Sequence, residues 1–228
     1  MRSVSLCFDD GLERSTELAI ELLDVPLNFF IVTGWIKEIG LPVTDSFNIG
    51  CSHGSLEFWV NVARKHSLGG HGHTHTLLTP DNALDELGMC RQVVKELTAP
   101  PYLVAYPYLK MCQDSYGVFD WHRPFVHMPN IKKYGVEECV LQVVQALGEE
   151  DGTLKWLPLG FHGINGEGWQ TVMSHDLKEF VDRLEDEGFG FLSTRSISEK
   201  MEGRHDKCII EFRKEVRMGR KDTAEDDS

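Results

Sequence analysis

Residues 3–11 read SVSLCFDDG, and this stretch decides the fold. Residues 3–8 form a short β-branched and aromatic run suited to a buried strand, and residues 14–23 follow with Leu18, Ala19, Leu22 and Leu23 on one helical face. Between them stand Asp9, Asp10 and Gly11. Adjacent strand residues point to opposite faces, so both carboxylates reach one site only if Asp10 already lies in the turn, which Gly11 permits. The alternative is a helix cap beside a solvated acid.

The same alternation continues along the chain. Residues 28–33 (NFFIVT) read as the next strand. Leu56, Trp59, Val60 and Ala63 recur at helical spacing and lead into a short segment, 67–71, that ends at a histidine cluster. Residues 81–97 are helical by period with Asp81 as N-cap, and 102–106 are strand-like and closed by Pro107. Residues 156–161 form another strand. Ser174 caps a helix with the face Leu177, Phe180, Val181 and Leu184, Gly188 marks its exit, and 189–193 form a last strand. Strands separated by helices of this kind predict parallel βαβ units, whose chemistry gathers at the C-terminal strand ends. Residues 36–54 and 110–129 are loop-rich and carry no assignment.

The chain has 228 residues, within the roughly 200 to 250 that one α/β barrel occupies. Its 23 Lys and Arg against 36 Asp and Glu leave a net charge of −13, which disfavours readings based on attraction to nucleic acid or acidic membrane surfaces. Six cysteines are scattered without a CxxC pair, so reduced thiols are expected. No window approaches the roughly 20 apolar residues of a membrane helix, and the N-terminus lacks the pattern of an export signal. A soluble, cytoplasmic protein is the expectation. Residues 213–228 (RKEVRMGRKDTAEDDS) are dense in both charges without apolar period and are expected to carry no packed structure.

The strongest local feature is Gly69-Gly70-His71-Gly72-His73-Thr74-His75. Imidazoles are neutral nitrogen ligands for zinc, and backbone freedom at glycine lets neighbouring rings turn inward, so a metal site is expected with two or three of these histidines. His162 follows a second apolar strand on the same presumed catalytic face. Asp120 and Trp121 read either as an acid orienting an imidazole beside an aromatic wall, or as a turn acid beside a core tryptophan.

Taken in order, Phe8-Asp9-Asp10-Gly11, His71 to His75, Tyr106-Pro107-Tyr108, Asp120-Trp121 and Phe161-His162 resemble the motifs of the polysaccharide deacetylases of NodB-homology type, carbohydrate esterase family 4. The resemblance implies a distorted single-domain (β/α) barrel of about seven parallel strands, with a catalytic domain over residues 1–212. It implies that Asp10, His71 and His75 hold a divalent metal, zinc by preference, with cobalt, nickel or manganese as alternatives. Asp9 would be the general base, His162 the general acid for the departing amine, and the amide near Tyr108 an oxyanion donor. Asp120 would hold the His162 ring and Trp121 would wall the pocket. The substrate class implied is an N-acetylated sugar or glycan, with an intracellular precursor or surface-polysaccharide intermediate favoured by the expected compartment. The resemblance is silent on oligomeric state. Two positions depart from the pattern. Ala105 stands where the family has the arginine that pairs with the base, leaving Arg123 or Lys110 to replace it, and the late histidine lacks its usual leucine and following acid.

Two rival readings remain at this level. His73 and His75 form an HxH pair of the kind found in amidohydrolase barrels, and Ala105 with the altered late motif is compatible with a deacetylase-like domain that binds carbohydrate or protein without turnover.

Overall fold

Seven strands, all parallel, curl around an interior of large side chains. A computed structural model describes residues 1–112, 117–123, 125–148 and 155–201, so the charged stretch 213–228 lies outside the described residues. The elements are β1 (Arg2–Phe8), α1 (Glu13–Leu22), β2 (Leu27–Ile31), α2 (Leu56–Ala63), β3 (Ser67–Gly70), α3 (Ala83–Leu97), β4 (Leu103–Val104), β5 (Trp121–His122), α4 (Ile131–Tyr134), α5 (Val136–Leu147), β6 (Lys155–Phe161), α6 (Ser174–Asp186), β7 (Gly190–Phe191) and α7 (Thr194–Met201). The strand order is β5-β4-β3-β2-β1-β6, with β7 on β1. β1 pairs with β6 along its whole length, while its other edge is divided between β2 at Leu6 to Phe8 and β7 at Ser3 and Val4. After β5 the chain crosses to β6, where His127 bridges Leu159 and draws the two sheet edges together. This is the expected α/β class, a distorted (β/α) barrel.

The period-two alternation of β1 sorts its side chains between two cores. Val4, Leu6 and Phe8 face outward into the core shared with Ala19, Leu177, Phe180 and Leu184. Cys7 faces the barrel lumen with Phe30, Leu103, Ala105, Trp121, Trp156 and Ile197. Ser5 lies on the same inward face and accepts from the Trp156 indole N–H at 2.9 Å, so the one polar atom of that ring is satisfied. α7 closes the N-terminal end of the barrel: Asn28 at the start of β2 accepts from the Thr194 amide at 2.6 Å, and Ile197 enters the lumen.

Two expected caps sit one residue away. α3 has Asn82, not Asp81, at its cap position, because the Asn82 side chain accepts from the Thr79 amide at 2.8 Å and donates to the Leu77 carbonyl at 3.1 Å, tightening the preceding turn. Ser174 is the first helical residue of α6, and its amide donates to the side chain of Asn165 at 2.9 Å, so capping comes from a neighbouring loop. The C-terminal exit is as read. Gly188 adopts φ 80° and donates to Glu185 O, and Phe189 donates to Leu184 O, which is a Schellman closure. β5 and α5 lie where the sequence carried no assignment.

Candidate active site

Each inward-facing strand position has a successor just past the strand end that keeps the same parity. From β1 this is Asp9, after Ser5 and Cys7; from β3, His71, after Gly69; from β4, Ala105, after Leu103; from β5, Arg123, after Trp121; and from β6, His162, after Trp156. The backbone ladder runs on for one more rung at four of them: Asp9 N to Phe161 O (2.9 Å), His71 N to Ile31 O (2.7 Å), Ala105 N to Gly70 O (2.9 Å) and Arg123 N to Val104 O (2.8 Å). Polar side chains therefore ring the C-terminal mouth of the barrel on rigid backbone. Asp10 has outward parity, but its φ of 73°, followed by 74° at Gly11, turns its carboxylate back to the same mouth.

Asp9 is buried, and Arg123 grips it with both guanidinium ends, Nη1 to Oδ1 at 2.7 Å and Nη2 to Oδ2 at 2.6 Å. The guanidinium also lies 4.9 Å over the ring of Phe30. Burial is the largest single influence and would raise the Asp9 carboxyl, but the charge and hydrogen bonds of Arg123, with His71 and His162 beside it, together outweigh it and hold the pKa at about 2. Arg123 thus occupies the role left open by Ala105, and it reaches from β5 because residue 123 shares the inward face with residue 105. Lys110 is exposed and takes no part in this pair.

Asp10, His71 and His75 bring three ligand atoms within 4.8 Å of one another, all buried. Asp10 Oδ1 lies 3.5 Å from His71 Nε2 and 3.3 Å from His75 Nε2, and accepts no hydrogen bond among the described residues. His71 Nδ1 meets the Ala105 carbonyl at 2.9 Å, which makes it the protonated nitrogen and leaves Nε2 as a lone pair. His75 Nδ1 faces the Asp45 carboxylate at 3.3 Å, and Asn48 donates to Asp10 Oδ2 at 3.1 Å. Burial pulls His71 down to about 3, lowers His75, and pushes Asp10 up to about 6. Two neutral imidazoles and a carboxylate oxygen, turned toward one another with no proton between them, suit a divalent cation, which would reverse the burial penalty on the carboxylate. The residues present fit a metal.

The other predicted residues divide. His73 turns away from this cluster and hydrogen-bonds Thr33 Oγ1 through Nδ1 at 2.9 Å, so the HxH pairing is not formed. The Tyr108 ring lies 5.0 Å from His75; with φ 56° the residue sits in a tight turn closed by Leu109 N to Tyr106 O and Lys110 N to Pro107 O, which leaves its own amide out of both bonds. His162 packs edge-on against Trp169 at 4.9 Å, and its Nδ1 is buried without a hydrogen bond among the described residues. The glycine after it is required by space: a Cβ on Gly163 would stand 1.5 Å from the Glu167 carbonyl. Asp120 does not reach His162. Its carboxylate accepts from the Tyr102 amide at 2.8 Å and pairs with Arg91 at 3.2 Å, because it precedes β5 and so lies at the strand end remote from the mouth. Trp121 is 2% exposed and packs on Trp156 at 6.0 Å inside the barrel; it is core and not a pocket wall.

Asp45, Asn48 and Glu86 were not legible in sequence. The first two come from the unassigned stretch 36–54 and the third from the buried side of α3, and no spacing rule links them to the histidines.

A parallel barrel with paired carboxylates, imidazoles and an arginine at its C-terminal mouth defines the class: a (β/α) fold with a candidate metal centre. The polysaccharide deacetylase family matches residues 1–118, and the chain belongs to that family. No curated protein matches it. Among solved structures it is similar to the Xyl-CE4 domain of a multidomain xylanase from the hindgut metagenome of Trinervitermes trinervoides, at 20% identity over 87% of this chain and 90% of that one (TM-score 0.59). It is also similar to a family 4 acetyl xylan esterase from Clostridium thermocellum in complex with a cobalt ion (16%, 89% and 92%, 0.57). A CE4 family pseudoenzyme from Bacillus anthracis shares the fold as well (16%, 84% and 64%, 0.55).

Proposed function

We propose that this protein is a metal-dependent hydrolase that removes an N-acetyl group from an amino sugar. The observation that carries the reading is the meeting, at one barrel mouth, of the Asp10, His71 and His75 cluster with an Asp9 carboxylate held by Arg123. Asp10, His71 and His75 would hold a divalent ion, zinc by preference for this donor set, and it would supply Lewis-acid activation of water and of the acyl carbonyl. Asp9, ionised at neutral pH, takes the proton of the attacking water, and the bidentate Arg123 contact fixes the direction of its free lone pairs. The Tyr108 amide donates to the developing oxyanion, an interaction worth about 3 to 4 kcal/mol where such a donor has been removed elsewhere. His162, steadied by Trp169, gives a proton to the departing nitrogen, so that amide and water become amine and acetate.

The absence of the family arginine at residue 105 would favour a non-catalytic reading, but Arg123 supplies the same pairing, and that motive falls away. Cys7, Cys90 and Cys139 are buried free thiols, which suits a reducing compartment and, with it, an intracellular glycan precursor as substrate. The test is acetate release from N-acetylglucosamine oligomers and from acetylated precursors by the zinc- or cobalt-loaded protein. Release that disappears in Asp9→Asn and in His162→Ala supports the reading. Binding of metal and sugar with no acetate from any substrate would overturn it in favour of a carbohydrate-binding domain.

A further inference from the structure

Glu86 is 7% exposed on α3, and among the described residues its carboxylate pairs with no lysine or arginine. Its partners are three donors of one loop: the His73 amide at 3.1 Å and the Thr74 amide at 2.9 Å on Oε2, and the Thr74 hydroxyl at 2.7 Å on Oε1. That loop is the connection between His71 and His75. Its other side is tied by backbone to the turn after β2, with Thr33 N donating to Gly72 O (3.2 Å) and Gly34 N to His73 O (2.8 Å). The loop enters through Gly72 at φ 81° and leaves through His75 at φ 59°, a left-handed backbone that an L-residue keeps only when its surroundings impose it.

We propose that Glu86 is the positioning residue of the metal centre: its buried carboxylate clamps residues 73 and 74 and thereby sets where the His75 imidazole stands relative to His71 and Asp10. The charge matters as well as the shape. Two adjacent amides share one oxygen and the hydroxyl takes the other, so an ionised carboxylate accepts from all three in charge-assisted bonds. A buried carboxylate is in turn costly unless fully hydrogen-bonded, so α3 and the loop hold each other in register. Without the clamp the two amides turn to water and the His75 backbone relaxes out of the left-handed region. The 3.3 Å approach of His75 Nε2 to Asp10 Oδ1 is then lost. The inference rests on Asp10, His71 and His75 being the metal ligands.

The test uses the full chain and Co2+ as probe, in wild type, Glu86→Gln and Thr74→Val. Three quantities are read: the Co2+ dissociation constant by competition with a chromophoric chelator, the visible spectrum of the bound ion, and the urea unfolding midpoint of the metal-free protein. Glutamine keeps the size but has one acceptor oxygen in place of two and no charge: with that oxygen toward the two amides, the contacts are no longer charge-assisted and the Thr74 hydroxyl meets a donor. Glu86→Gln is expected to weaken Co2+ about 10- to 100-fold and to alter the spectrum while the metal-free protein stays folded under the titration conditions. Thr74→Val, which removes one donor of three, is expected to fall near the lower end of that range. Glu86→Gln that binds Co2+ as wild type does, with the same spectrum, overturns the proposal. If Glu86→Gln does not fold, Thr74→Val decides: wild-type binding and spectrum overturn the proposal, and weakened binding upholds it. Wild type that takes up no Co2+ would overturn the ligand assignment beneath it.

Discussion

Removing the guanidinium of Arg123 tests the arrangement that replaces the family arginine. In Arg123→Ala the Asp9 carboxylate stays buried with its guanidinium partner gone, and breaking a buried pair from one side costs about 3 to 5 kcal/mol. The pH dependence has a definite sign. Asp9 has its pKa depressed from 3.8 to about 2, so the pair's contribution is complete above the ordinary value and is lost as pH falls through about 2. At roughly 1.4 kcal/mol per pH unit, the interval 3.8 − 2 amounts to about 2 to 3 kcal/mol, of the same order as the mutational cost. The assay is urea unfolding of the metal-free protein at neutral pH for wild type, Arg123→Ala, Asp9→Ala and the double variant, with the coupling read from the cycle. In acetate release at neutral pH, turnover should fall about tenfold or more in Arg123→Ala, because burial then acts on Asp9 without the guanidinium to oppose it and its lone pairs lose the contact that aims them. Ala105→Arg in the Arg123→Ala background should restore much of both, since residue 105 has the same inward parity and the vacated space lies beside it. Unfolding within about 1 kcal/mol of wild type at neutral pH, a size ordinary for an exposed pair, together with unchanged turnover, would refute the reasoning.

Four further outcomes are expected. In equilibrium dialysis with zinc, Asp10→Asn, His71→Ala and His75→Ala each lose the bound ion, whereas His73→Ala, which breaks a contact to Thr33 outside the cluster, weakens binding by about tenfold at most. Metal affinity should rise with pH until the Asp10 carboxyl is ionised at about 6 and level off above it, with one proton displaced and not two, since His71 stays neutral down to about 3; a two-proton slope between pH 5 and 6 in calorimetric titration would contradict this. Trp121→Ala should cost about 3 to 5 kcal/mol in urea unfolding as a core truncation. Asp120→Ala, whose partially exposed contacts are to Arg91 and the Tyr102 amide, should cost about 1 kcal/mol and leave turnover unchanged.

Local pattern was enough for the strands and helices that border the site. The inward run of β1, the helical period of Leu177, Phe180, Val181 and Leu184, and the glycine exit at Gly188 each depend on neighbours within one turn or one pleat, and such signals survive in a single sequence. The short β5 did not, because two residues carry no period. The end of each long strand also named the residues at the barrel mouth, since parity fixes the face of Asp9, His71 and His162 once the strand is known.

What the sequence by itself determined, then, is the (β/α) order and the ring of polar residues at the strand ends, because both follow from local alternation of side-chain direction. Only the tertiary structure decided which of them meet: Arg123 on Asp9 across 114 residues, Asn48 on Asp10 across 38, and Glu86 beneath the histidine loop. It also took Asp120 and Trp121 away from the site and turned His73 out of the cluster. The reason is that partner choice depends on how the sheet curls and where its edges close, and barrel closure is a sum of long-range contacts that no short stretch of sequence contains.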